Sequence, residues 1–248
     1  MKKPFALLLL AVALHSAQAN IILQPVTNAT ISWGNPTAIV GDLDVATNGG
    51  FVSAFHFGGG TPPDTAVNGV TFTGVNPGFG TSVTFGGNTL AESPSTLGAY
   101  NGAGTAAPYT GLTTSYRALV GSGVGAFAAA TITLTLNGLT AGHNYQIQIW
   151  NNASASSTLG STTIAAGNSV VLNSNTTGLN GGLGQFAVGT FTPGLTSQDI
   201  TFNGSTTSPT MNGYQLRDLS IAPEPSTWAL LIGGAALLGW VQKRRRAW

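Results

Sequence analysis

Side chains able to do acid–base, nucleophilic or metal chemistry are few in this sequence, and they are scattered. Between Asn20 and Ala222 the carboxylates are Asp42, Asp44, Asp64, Glu92, Asp199 and Asp218, and the histidines are His56 and His143. Glycoside hydrolysis needs two carboxylates facing each other across a cleft. Yet from Ala118 to Gln198 there is no Asp, Glu, Lys or Arg. Asp42 and Asp44, with Asn48, offer oxygens of the kind calcium takes. Their spacing lacks the EF-hand order, and aspartates in turns commonly bond their own backbone. They are weak metal candidates, and no cofactor is expected. His143 sits in a Gly-His-Asn turn and His56 on a strand beside Val52 and Ala54. Neither has a second ligand at metal spacing, so both read as structural or solvated. The Gly-x-Ser-x-Gly elbow of serine hydrolases is absent. "GSGVG" from Gly121 lacks the lysine of a phosphate loop and reads as a flexible connection.

The elements that must hold these groups are strands. Only 6% of the 248 residues are charged, against roughly 25% in ordinary globular proteins. The 42% apolar content still permits a core. Within 20–222 the only cations are Arg117 and Arg217, and lysine is missing altogether. Nucleic-acid binding needs a basic stripe to neutralise phosphates, so it is excluded. With no cysteine, stability rests on packing and backbone pairing. In "TITLTL", Ile132, Leu134 and Leu136 face one side and the threonines the other. "YQIQIW" repeats the pattern, with Tyr145, Ile147 and Ile149 inward and Gln146 and Gln148 outward. Further short strands are expected at 50–57, 69–72, 82–85, 169–172, 186–191, 199–202 and 214–221. No stretch of the body sustains a helical period. Many short strands punctuated by Gly, Asn and Pro predict an all-β domain over 20–222, a jelly-roll-like β-sandwich.

The two ends carry different signals. Lys2 and Lys3, an apolar run from Phe5 to Leu14 and Ala17-Gln18-Ala19 make a signal peptide over 1–19, cut between Ala19 and Asn20. At the other end Pro223-Glu224-Pro225 fixes two φ angles and removes two backbone donors, giving an exposed spacer. "WALLIGGAALLGWV", 228–241, is uncharged and as a helix spans about 21 Å, short of the roughly 30 Å hydrocarbon core. Lys243, Arg244, Arg245 and Arg246 follow as a positive-inside stop. A permanent anchor and a transient one, cut after insertion, use the same physics.

Pro-Glu-Pro, a short apolar helix with Gly-Gly and a terminal arginine cluster, in that order over 223–246, resemble the PEP-CTERM sorting signal of Gram-negative envelope proteins. That resemblance implies recognition by an exosortase, a membrane transpeptidase that cuts near the tripeptide and passes the protein to the outer surface or the extracellular polysaccharide. It makes Pro223, Glu224 and Pro225 the recognition element. Lys243 to Arg246 then hold the precursor in the inner membrane until cleavage. "GDLDVATNGGFVSAFHFGG", "TLTLNGLTAGHNYQIQIWNN" and "MNGYQLRDLSI" are similar to the opening and closing strands of a domain common in proteins bearing this signal. Their pattern resembles the galactose-binding or malectin-like jelly roll. It implies a sandwich more strongly than sugar binding.

Two readings of function follow. One is a non-enzymatic surface or matrix protein, associated with polysaccharide through exposed aromatics such as Trp33, Tyr100, Tyr109 or Trp150. The other is a secreted enzyme acting on polysaccharide.

Overall fold

Residues 131–136, where Thr and apolar residues alternate, form the middle of a sheet, and the rest of the body is built around them. The computed structural model describes residues 28–126, 130–155, 160–204 and 208–220. The proposed signal peptide 1–19 with its Ala19–Asn20 junction lies outside those residues. So do Pro223, Glu224 and Pro225, the apolar run 228–241 and Lys243 to Arg246.

Chain order begins with β1 (Ser32–Trp33), β2 (Thr37–Ala38), a 3-10 turn (Asp42–Asp44) and β3 (Gly50–Phe57). It continues through β4 (Thr65–Val67), β5 (Val70–Val75), β6 (Ser82–Phe85), β7 (Asn88–Ser93) and β8 (Leu97–Asn101). Helix α1 (Thr114–Val120) precedes β9 (Ser122–Ala126), β10 (Thr131–Asn137) and β11 (Tyr145–Asn151). The last strands are β12 (Ser161–Ala165), β13 (Val170–Asn173), β14 (Gln185–Phe191), β15 (Ser197–Gly204), β16 (Thr210–Met211) and β17 (Gly213–Asp218).

The protein is mostly β. An eight-stranded sheet runs β1-β14-β11-β17-β3-β5-β4, with β2 also on β14; a six-stranded sheet runs β13-β12-β15-β10-β7-β6. A three-stranded sheet, β16-β9-β8, completes the set. All these pairs are antiparallel except β3 with β5. The two larger sheets share one apolar core: Ile132, Leu134 and Leu136 from β10 are in the same cluster as Ile147 and Ile149 from β11. On β10 the threonines stay half-exposed, and Thr135 donates to Asp199 Oδ1 at 2.6 Å across to β15. Burying such side chains contributes about 1.5–3 kcal/mol each for the larger apolar residues.

β11 departs from expectation. All seven of its residues are buried, so Gln146 and Gln148 do not face solvent. The outer face of this sheet carries a second apolar cluster, which includes Phe72, Trp150 and Phe186 from the sheet and Tyr116, Leu119 and Val120 from α1. Beside it, segment 42–49 lies across the glutamines. Gln148 donates to Asp44 O at 2.7 Å and accepts from Ala46 N at 3.1 Å and from Gln215 Nε2 at 2.7 Å. The amides replace the water that a one-sided sheet would have used.

Strands β1, β2, β4, β7, β8, β9, β12 and β16 were not expected, and "GSGVG" runs from Gly121 into strand β9 rather than forming a flexible connection. Helix α1 corrects the expectation of a helix-free body. Its seven residues are too few to show a period, but Thr113 caps it by accepting from Tyr116 N at 3.2 Å. Among the described residues no helix is long and apolar enough to cross a membrane.

Candidate binding cleft

A cleft of about 590 Å³ lies where α1, the β8–β9 pair and the 58–63 loop meet. Its wall is Tyr100, on β8. The residue directly opposite on β9 is Gly123, and a Cβ there would stand 2.6 Å from the Tyr100 ring and from Met211 O. Glycine at 123 therefore lets the ring lie along the sheet. The Tyr100 hydroxyl donates to Asn152 O at 2.9 Å. Behind it, Tyr109 is buried and donates to Arg117 O at 3.3 Å, a position that a Cβ on Gly121 would block at 2.3 Å. Ser122 Oγ donates to Phe57 O at 2.9 Å.

His56 closes the inner end and is 1% exposed. Nε2 meets Pro63 O at 2.9 Å, and because a carbonyl only accepts, Nε2 carries a proton. Burial pushes the ring's pKa below the usual value, against the opposing pull of the Pro63 carbonyl and the Asp64 charge, so the imidazole is neutral near pH 7. Burial likewise raises both Tyr100 and Tyr109, and all three rings stay uncharged.

Arg117 is the charged group of the cleft. It is half-buried, and among the described residues the one hydrogen bond from its guanidinium is a long contact to Thr114 Oγ1 at 3.4 Å and no carboxylate pairs with it. Asn101 stands nearby with Oδ1 accepting from Ala103 N at 3.0 Å and its amide nitrogen without a partner among the described residues. Ser122 therefore directs its proton into the protein and offers lone pairs, while Arg117 and Asn101 offer N–H groups.

A second cleft, about 620 Å³, opens between the first half of β3 and β5, bordered by exposed Phe51 and Val52. Arg217 lies at its edge but is 6% exposed, and its Nε and Nη2 donate to the carbonyls of Thr47, Asn48 and Gly49. It fastens a turn.

The residues singled out from sequence fall in several places. Asp44 Oδ2 accepts from Val40 N, Gly41 N and the Tyr116 hydroxyl at 2.8, 3.0 and 2.8 Å. Asp42 Oδ1 accepts from Thr113 at 2.6 Å. Both aspartates pin segment 40–44 to α1, and among the described residues no three His, Cys, Asp or Glu gather as metal ligands. His143 pairs with Asp218 at 2.6 Å at the far end of β17. Trp33, Tyr109 and Trp150 are buried, at 6%, 4% and 0%, so only Tyr100 of the four proposed aromatics presents a surface. Among the described residues the exposed aromatics are Phe51 and Phe79. Sequence reading missed Arg117 as a site residue, although it is one of two cations in a body of six carboxylates. Comparison with protein families, curated proteins and solved structures finds no match to this chain.

Proposed function

We propose that this chain is an exported, non-enzymatic protein of the cell envelope or extracellular matrix. Its body is a jelly-roll-like β-sandwich delivered through a C-terminal sorting signal and associated with extracellular polysaccharide. The carrying observation is the order of parts after the body: Pro223-Glu224-Pro225, an uncharged run over 228–241, then Lys243 to Arg246. The last strand, β17, ends five residues before Pro223, so the signal follows the body without interrupting a sheet. An exosortase-type transpeptidase is the processing partner, and the inner membrane holds the precursor. Two features support the jelly roll. The long strand β3 lies beside the last strand β17, and the chain crosses between the two large sheets at β10–β11, β11–β12, β13–β14 and β14–β15. The non-enzymatic reading is supported by the clefts: none of the six body carboxylates lines either of the two described above.

Replacing Pro223-Glu224-Pro225 by three alanines tests the reading. The apolar run and basic stop remain, so insertion persists and the uncut precursor accumulates in the inner membrane. Fractionation showing the same distribution for wild type and variant would contradict it.

A further inference from the structure

We infer that the cleft between α1 and the β8–β9 pair binds an acidic sugar, a uronic-acid residue of a polysaccharide, with its carboxylate on Arg117 and its hydroxyls on the Tyr100–Ser122 side. The inference rests on the polysaccharide association proposed above and names the part of the polymer that is held.

The chemistry of the lining selects this ligand class. Arg117 has no carboxylate partner within the body, and a guanidinium offers a planar fork that matches a carboxylate. A simple anion is a poor occupant for two reasons. The cleft, at about 590 Å³, falls in the range that holds small organic ligands of about 300–1,000 Å³. Moreover Ser122, half-buried at the cleft, points its hydroxyl proton at Phe57 O, which leaves its lone pairs for the ligand. Phosphate near neutral pH presents mostly acceptor oxygens and would meet those lone pairs head-on. A sugar hydroxyl brings its own proton and can donate to them. The Asn101 amide supplies a matching donor for a hydroxyl oxygen. The Tyr100 ring and the Pro62–Pro63 rim give apolar surface for the C–H face of a pyranose. A neutral sugar would satisfy Ser122 and Asn101 but leave Arg117 unpaired.

The test is calorimetric titration of the full-length protein in detergent with a galacturonic-acid oligomer, a galactose oligomer of equal length and inorganic phosphate. The acidic oligomer is expected to bind at least about tenfold more tightly than the neutral one, and Arg117→Gln to abolish that difference. Asn101→Ala, a change at an exposed position, should weaken both oligomers alike by a few-fold and so serves if Arg117→Gln perturbs folding. Equal binding of the two oligomers, an undiminished acidic preference in Arg117→Gln, or binding of neither oligomer would overturn the inference. So would phosphate competing as strongly as the acidic oligomer. These outcomes leave the sorting proposal untouched, because that is read from processing of the C-terminus.

Discussion

Arg217 and Arg117 are the only cations between Asn20 and Ala222, and their surroundings differ in every respect that matters. Arg217 lies under the 47–49 turn with three backbone carbonyls as acceptors. Burial lowers its pKa, yet its cover is thin, because the 620 Å³ cleft begins beside it. Arg117 stands at the 590 Å³ cleft with one long contact to a neighbouring threonine. A buried guanidinium without acceptors would cost far more than the fold can spare, and Nε and Nη2 of Arg217 are bonded to three carbonyls. Arg117 is half-exposed and solvated, so nothing in folding requires it to be paired. The comparison separates a cation used for architecture from one left available for a ligand.

The largest effect that would break the comparison lies at Arg217. Arg217→Met leaves the carbonyls of Thr47, Asn48 and Gly49 without their donor and loosens the strap over Gln148 and Gln215. A destabilisation of about 3 kcal/mol is expected in urea unfolding, since hydrogen bonds to charged groups contribute about 1.5–3 kcal/mol. A loss below about 1 kcal/mol would mean that the turn holds itself.

A smaller effect concerns Glu92, which is 5% exposed on β7, with no well-formed hydrogen bond to either carboxylate oxygen. Burial raises its pKa above the usual 4.5, although the nearby Ser95 amide and hydroxyl oppose this. The unfolded chain therefore releases this proton first as pH rises from about 4.5, and Glu92 lowers stability from there upward. Glu92→Gln is expected to raise the thermal midpoint slightly at pH 7 and to leave it unchanged at pH 4. A fall at pH 7 would show that the carboxylate is held by a favourable contact.

The smallest effect is expected at Arg117. Arg117→Gln should change stability by no more than about 0.5 kcal/mol, the usual range for a surface substitution away from caps and cores. A loss comparable to that at Arg217 would erase the distinction between the two arginines.

Much of the fold was legible because strand periodicity acts locally. Strands β3 and β6 begin and end where alternation and glycines predict, and β10 buries its isoleucine and leucines as its pattern requires. What was not legible depends on layers. Gln148 has the polar signature of a wet sheet face, but segment 42–49, about a hundred residues away in sequence, covers it. Trp150 reads as a surface aromatic and is instead enclosed by Phe72, Phe186 and Tyr116, whose hydroxyl accepts its indole N–H at 3.1 Å. The cleft was hidden for a similar reason. Tyr100, Arg117 and His56 come from three separate segments, and the glycines that open it look like a flexible loop until they pair as β9.

Export of this β body and its release from the C-terminal segment are the core of the proposed function. Intact-mass and terminal-peptide analysis of the protein recovered from the cell exterior tests it most directly. The expected protein has its N-terminus at Asn20 and its C-terminus near Pro223–Pro225, with Lys243 to Arg246 absent. Recovery of chains that still begin at Met1 or end at Trp248 would contradict it.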